Sequence, residues 1–92
     1  MTIHPVEVDN KTFYIMKSKR KNKKYDVFDD NYMYILSYGD KNYQHYYDAF
    51  KEYNYLNHND PYRRKNYRKR AEGMGNLSNP RSSNYWSYYS LW

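Results

Sequence analysis

The sequence predicts an α+β domain: a small N-terminal antiparallel β-hairpin region, then two short helices and an aromatic C-terminal segment. Three observations carry that expectation. Short β-prone runs separated by turn formers occupy residues 3–38. From Asn42 the aromatic residues fall at helical spacing. Asp60-Pro61 then opens a basic segment that closes at Gly73. The charge pattern suggests a division into an N-terminal arm with a basic run, residues 1–24, and a single small domain, residues 25–92.

Val6, Val8 and Phe13-Tyr14-Ile15-Met16 read as extended pieces around a turn at Asp9-Asn10-Lys11. They form either a hairpin or a loose arm that adds to a neighbour's sheet. Tyr25-Asp26-Val27-Phe28 and Tyr32-Met33-Tyr34-Ile35-Leu36-Ser37 flank Asp29-Asp30-Asn31, a second hairpin signal, with Gly39-Asp40 ending the strand. Tyr43, Tyr46, Tyr47, Phe50 and Tyr53 then make an aromatic stripe at helical spacing, ending near Leu56. Gln44, His45, Asp48, Lys51 and Glu52 fall on its polar side. The stripe reads as core, with base stacking as the functional alternative.

Asp60 as N-cap and Pro61 at the first helical position start the second helix, which runs to about Arg70 or Glu72. Its cations spread around the wheel, so they need carboxylates or phosphates nearby. Candidate carboxylates are Asp26, Asp29 and Asp48, or those of a neighbouring chain. Asn79-Pro80 repeats the start signal, and Tyr85, Trp86, Tyr89 and Trp92 follow at spacings of three and four. Such a segment either folds back onto the strands or plugs a groove on a neighbour.

The 92 residues contain 15 Tyr, 3 Phe and 2 Trp, against ten branched aliphatics spread from Ile3 to Leu91. The core must therefore be built from tyrosine rings, whose hydroxyls need partners when buried. The chain has no cysteine, which excludes a disulfide framework and thiolate metal sites. It has no apolar run near the ~20 residues of a membrane span. Nor does it show a basic region followed by an apolar stretch, so no secretory signal is expected.

The net charge of +6 is segregated into blocks. Residues 17–24, with Lys17, Lys19, Arg20, Lys21, Lys23 and Lys24, carry +6; residues 25–60 carry −5; residues 61–72, with Arg63, Arg64, Lys65, Arg68, Lys69 and Arg70, carry +5. Two basic clusters point to an anionic partner, nucleic acid or an acidic protein surface, or else they neutralise the acidic middle.

No catalytic constellation is visible. His4, His45 and His58 are scattered, and Gly73-Met74-Gly75 lacks the lysine and length of a phosphate loop. His45 and Asp48 have a metal-compatible spacing without a third ligand, and read as a solvated pair. The sequence implies no cofactor, no metal and no small-molecule substrate.

The order of motifs from Lys24 onward carries a resemblance. It runs Lys24-Tyr25-Asp26-Val27, then Tyr38-Gly39-Asp40-Lys41-Asn42-Tyr43, then Tyr47-Asp48. His58-Asn59-Asp60-Pro61-Tyr62-Arg63-Arg64-Lys65-Asn66-Tyr67-Arg68-Lys69-Arg70 follows, then Asn79-Pro80-Arg81 and the closing Leu91-Trp92. This resembles a family of small basic proteins of nucleocytoplasmic large DNA viruses. Tyr38 departs from the family's Phe, Ala71 from its His, and residues 1–22 match nothing in it.

The resemblance implies a non-enzymatic minor capsid protein that bridges or cements capsid subunits in the virion, assembled in the host cytoplasm. Its implied partners are the major capsid protein and other minor capsid proteins, with viral DNA as a further one. The alternative is a basic nucleic-acid-binding protein associated with the genome. The residues expected to meet partners are Lys19, Arg20, Lys21, Lys23 and Lys24 in the basic run, Arg63, Arg64, Arg68 and Arg70 in the helix, and Tyr85, Trp86, Tyr89 and Trp92 at the end.

Overall fold

A computed structural model describes residues 2–92. Four strands come first: β1 (Ile3–Val8), β2 (Lys11–Lys17), β3 (Lys23–Phe28) and β4 (Tyr34–Asp40). They form one antiparallel meander in the order β1-β2-β3-β4. A 3₁₀ turn at Asn54–Leu56 and two helices, α1 (Pro61–Met74) and α2 (Ser83–Ser90), complete the chain. The α+β expectation holds, with a four-stranded sheet where a hairpin region was expected.

Turn chemistry sets the meander. Asp9 and Asn10 both take positive φ, 51° and 65°, as a two-residue hairpin requires. At the β3–β4 turn the Asp29 carboxylate accepts from the Asn31 and Met33 amides, each at 2.9 Å. The sheet crosses residue 24 without a break. What was expected as an N-terminal arm, residues 1–24, is therefore β1, β2 and the start of β3, because Val6, Phe13 and Ile15 have the apolar alternation to join the core.

The inner face pairs Val6 with Phe13, Ile15 with Val27, Val27 with Leu36 and Tyr25 with Tyr38. Helix α2 packs on this face through Trp86, whose ring lies 5.7 Å edge-on from Phe13 and 6.4 Å from Tyr38. Its indole N–H donates to the Pro80 carbonyl at 2.7 Å. The core is Phe13, Ile15, Tyr25, Val27, Tyr38, Tyr53, Trp86 and Leu91, ring-built as the composition required.

The helix expected over residues 42–56 does not form. That segment is a run of turns pinned to its neighbours, with Lys51 at φ 65°. Two causes are visible. The Asp48 side chain accepts from the Phe50 amide at 2.9 Å, a local bond that competes with the helical ladder. The amides of Tyr46, Tyr47 and Ala49 are claimed by the carbonyls of Leu91 and Ser90 at the end of α2. The second helix of the fold is instead α2, started by Ser82, whose hydroxyl accepts from the Asn84 amide.

Asp60 caps α1 as its sequence indicates, accepting from the Tyr62 and Arg63 amides. The helix runs past Gly73 to Met74 and stops at Gly75, where φ is 82°.

Candidate functional site

The most buried polar groups lie where β3 meets the loop 41–58. Lys24, His45 and Asp48 are each 2 % exposed or less. The Lys24 ammonium donates to the Tyr43 carbonyl at 2.9 Å and to His45 Nδ1 at 2.8 Å. His45 Nε2 donates to Asn57 Oδ1 at 2.6 Å, and the same oxygen accepts from the Asp48 amide at 2.9 Å. These partners fix the Nε2–H tautomer, because the amide oxygen can only accept.

Asp48 organises the rest. Its Oδ2 accepts from the Tyr25 hydroxyl at 2.5 Å and from the Tyr53 amide at 2.9 Å, while Oδ1 takes the Phe50 amide. The pair expected on a solvated helix face is thus an interior network, and its function is to satisfy a buried tyrosine. Tyr38 is served in the same way. Its hydroxyl donates to Ser90 Oγ at 2.9 Å, since Ser90 spends its own proton on the Trp86 carbonyl.

The network makes stability pH-dependent. Burial, reinforced by the Lys24 charge, holds the His45 pKa below its ordinary value, and burial with Arg63 does the same to His58. Both folded values are depressed, so their stabilising contribution is complete above about 6.5 and is lost as pH falls through the folded values.

Burial also lowers Lys24 to about 8, outweighing the pull of Asp48 and Asp40. Stability therefore climbs as pH rises from about 8 toward the ordinary lysine value near 10.4. Burial raises Tyr25 and Tyr38, so unfolding gains a proton-release advantage above about 10. Urea midpoints should peak at about pH 9–10 and fall on both sides. His45→Gln should flatten the acidic limb.

The second constellation surrounds the C-terminal residue. Arg64 and Arg68 both donate through Nε to the main-chain oxygen of Trp92, at 2.7 and 2.9 Å. Their guanidinium groups also lie over Tyr46 and Tyr88, at 4.8 and 4.6 Å from the ring centres. The Trp92 indole stacks on Tyr67 at 4.3 Å. The helix needs few carboxylates because a main-chain oxygen and two ring faces hold its inward arginines.

The expected partner-binding residues divide accordingly. Lys19, Arg20, Lys21 and Lys23 are exposed at the β2–β3 turn and the start of β3, and Arg63 and Arg70 are exposed on α1. Lys24 is not available to a partner, because its ammonium is consumed by Tyr43 and His45. Trp86 is core. Arg64, Arg68 and Trp92 are half-buried and occupied by one another. Tyr85 is half-buried against Trp86, and Tyr89 is 57 % exposed.

Sequence reasoning missed the outer face of the sheet. Tyr14, Phe28 and Tyr34 lie in one row across β2, β3 and β4, and Met16, Asp26 and Ser37 in the next. Among the described residues, no helix covers this face. Tyr32 stacks on Tyr14 at 4.4 Å, and Arg20 lies 3.9 Å above the Tyr34 ring. The signal was present in β2, where Tyr14 and Met16 alternate with the core residues Phe13 and Ile15 and make both faces apolar. No family model, curated protein or solved structure matches the chain.

Proposed function

We propose that the chain is a non-enzymatic structural protein of a large DNA virus particle, a minor capsid protein that bridges or cements capsid subunits. The open outer sheet face is the observation that carries this reading. It presents Ile3, Tyr14, Met16, Tyr32 and Tyr34, with Ile3 at 46 % and Tyr32 at 60 % exposure. Tyrosine, methionine and arginine are the residues protein interfaces favour, and a contiguous ring-rich face is costly to leave in water. The resemblance of residues 24–92 to a family of small basic proteins of nucleocytoplasmic large DNA viruses supports the same reading. The buried Lys24, His45 and Asp48 each spend hydrogen bonds on holding the fold, which supports surfaces as the working parts.

The partners in this reading are the major capsid protein and other minor capsid proteins, met in particles assembled in the host cytoplasm. The chain should remain with purified particles after they are opened and treated with nuclease. Tyr14→Ser with Tyr34→Ser should lower its incorporation while leaving its fold intact, since neither ring belongs to the core. Release of the wild-type chain together with the DNA would overturn the reading in favour of a genome-bound protein.

A further inference from the structure

The two basic clusters, far apart in sequence, are connected through residues 41–44. Lys41 is the hinge between them. Its amide donates to the Asn22 carbonyl at 3.0 Å and its ammonium to the Ser18 carbonyl at 3.3 Å, fastening it to the β2–β3 turn. Asn42 adds a side-chain bond to Asn22 at 3.2 Å. Two residues on, Gln44 accepts from the Arg63 guanidinium at 3.0 Å, on the first turn of α1. Residues 41–44 thus join the turn that bears Lys19, Lys21 and Lys23 to the start of the basic helix.

Exposed rings punctuate this ridge. Tyr43 is 69 % exposed although its backbone is fixed, its amide to Asp40 and its carbonyl to the buried Lys24 ammonium. Tyr62, beside Arg63, is 71 % exposed. Among the described residues, the ion pairs are His4 with Glu52 and Arg20 with Asp26, so the ridge cations have no carboxylate within bridging distance. The nearby carboxylates of Asp40 and Asp60 accept from backbone amides of Asn42, Tyr62 and Arg63.

We propose that this ridge is a binding track for single-stranded nucleic acid, with phosphates along Lys19, Lys21, Lys23, Lys41 and Arg63 and bases stacked on Tyr43 and Tyr62. Two properties favour this ligand over an acidic protein. Exposed cations stand beside exposed rings in the chain, Lys41 near Tyr43 and Arg63 next to Tyr62. The Tyr43 and Tyr62 backbones are fixed by hydrogen bonds while their rings stand in water, open to stacking by bases as in sequence-tolerant single-strand binders. The inference does not rest on the virion reading. A capsid protein with this ridge would touch the packaged genome on one side while its sheet face meets protein.

The test uses the full chain and fluorescent 20-residue oligo(dT) and oligo(U), with a duplex of equal length and polyglutamate as competitors. Single strands of either sugar should bind. Neutralising about five phosphates gives a log–log salt slope of about −3.5. Tyr43→Ala or Tyr62→Ala should weaken binding about 5- to 100-fold with the slope unchanged. Lys21→Ala or Lys23→Ala should each flatten the slope by about 0.7. A duplex bound as tightly as the single strands, with the tyrosine variants unaffected, would overturn the proposal. So would polyglutamate displacing oligo(dT) at equal charge, or no binding at 50 mM salt.

Discussion

Asp48→Ala is expected to destabilise the chain by about 3–5 kcal/mol, seen as a large fall in the urea midpoint. The carboxylate is wholly buried and accepts from the Tyr25 hydroxyl and the Phe50 and Tyr53 amides. Alanine would leave all three donors without an acceptor in an interior that water does not reach. It would also remove the anion that offsets the buried Lys24 charge. For a small domain with a total stability of about 5–15 kcal/mol, the loss is a large share of the whole. Asp48→Asn keeps one acceptor oxygen and should fall between the two. A surface role for Asp48, as its place on a helical wheel suggests, predicts a change within about 0.5 kcal/mol.

Trp86→Ala is the second large effect, about 3–5 kcal/mol, and it separates a core role from an adhesive one. The ring is 2 % exposed between Phe13 and Tyr38 and ties α2 to Pro80. Its removal opens a cavity where the helix meets the sheet. Trp86→Phe fills most of that space but leaves the Pro80 carbonyl without its donor, and should cost about 1–2 kcal/mol. An adhesive Trp86 would instead weaken partner binding while leaving the unfolding transition of the isolated chain in place.

Local chemistry was readable in the residues themselves. Asp29-Asp30-Asn31 marks a turn because its side chains make the turn's hydrogen bonds, and Asp60-Pro61 marks a helix start for the same reason. The segment 42–56 was not readable, because its conformation is decided by distant groups. Tyr25 needs an acceptor and takes Asp48, and the end of α2 needs donors and takes the amides of Tyr46, Tyr47 and Ala49. The periodicity of the rings is real, yet it sorts them incompletely: Tyr53 is core and Phe50 packs against it, while Tyr43 and Tyr47 face water and His45 and Asp48 are buried.

Lys24 was hidden in another way. Within a run of six cations nothing distinguishes it from Lys23. Only the pairing of β3 with β4 sets it against Gly39, where a Cβ would lie 3.0 Å from the lysine's own Cβ. The glycine, with φ at 75°, leaves the room that lets the lysine stem pass inward to His45. The candidate surfaces were half legible. The cations were visible as blocks, but the ridge exists because Lys41 and Gln44 fasten two blocks together, and neither carries a signal in the sequence.

A fold closed by its own polar network, which leaves outer rings and cations exposed, has a direct reporter in the ring nitrogens of His45. A nitrogen-detected titration of the folded chain should find Nε2 protonated and Nδ1 bare at neutral pH, with protonation delayed below the ordinary histidine value. Rapid exchange between tautomers, with a titration midpoint like that of a free histidine, would mean that Lys24, His45 and Asn57 are not joined and that loop 41–58 is held in some other way.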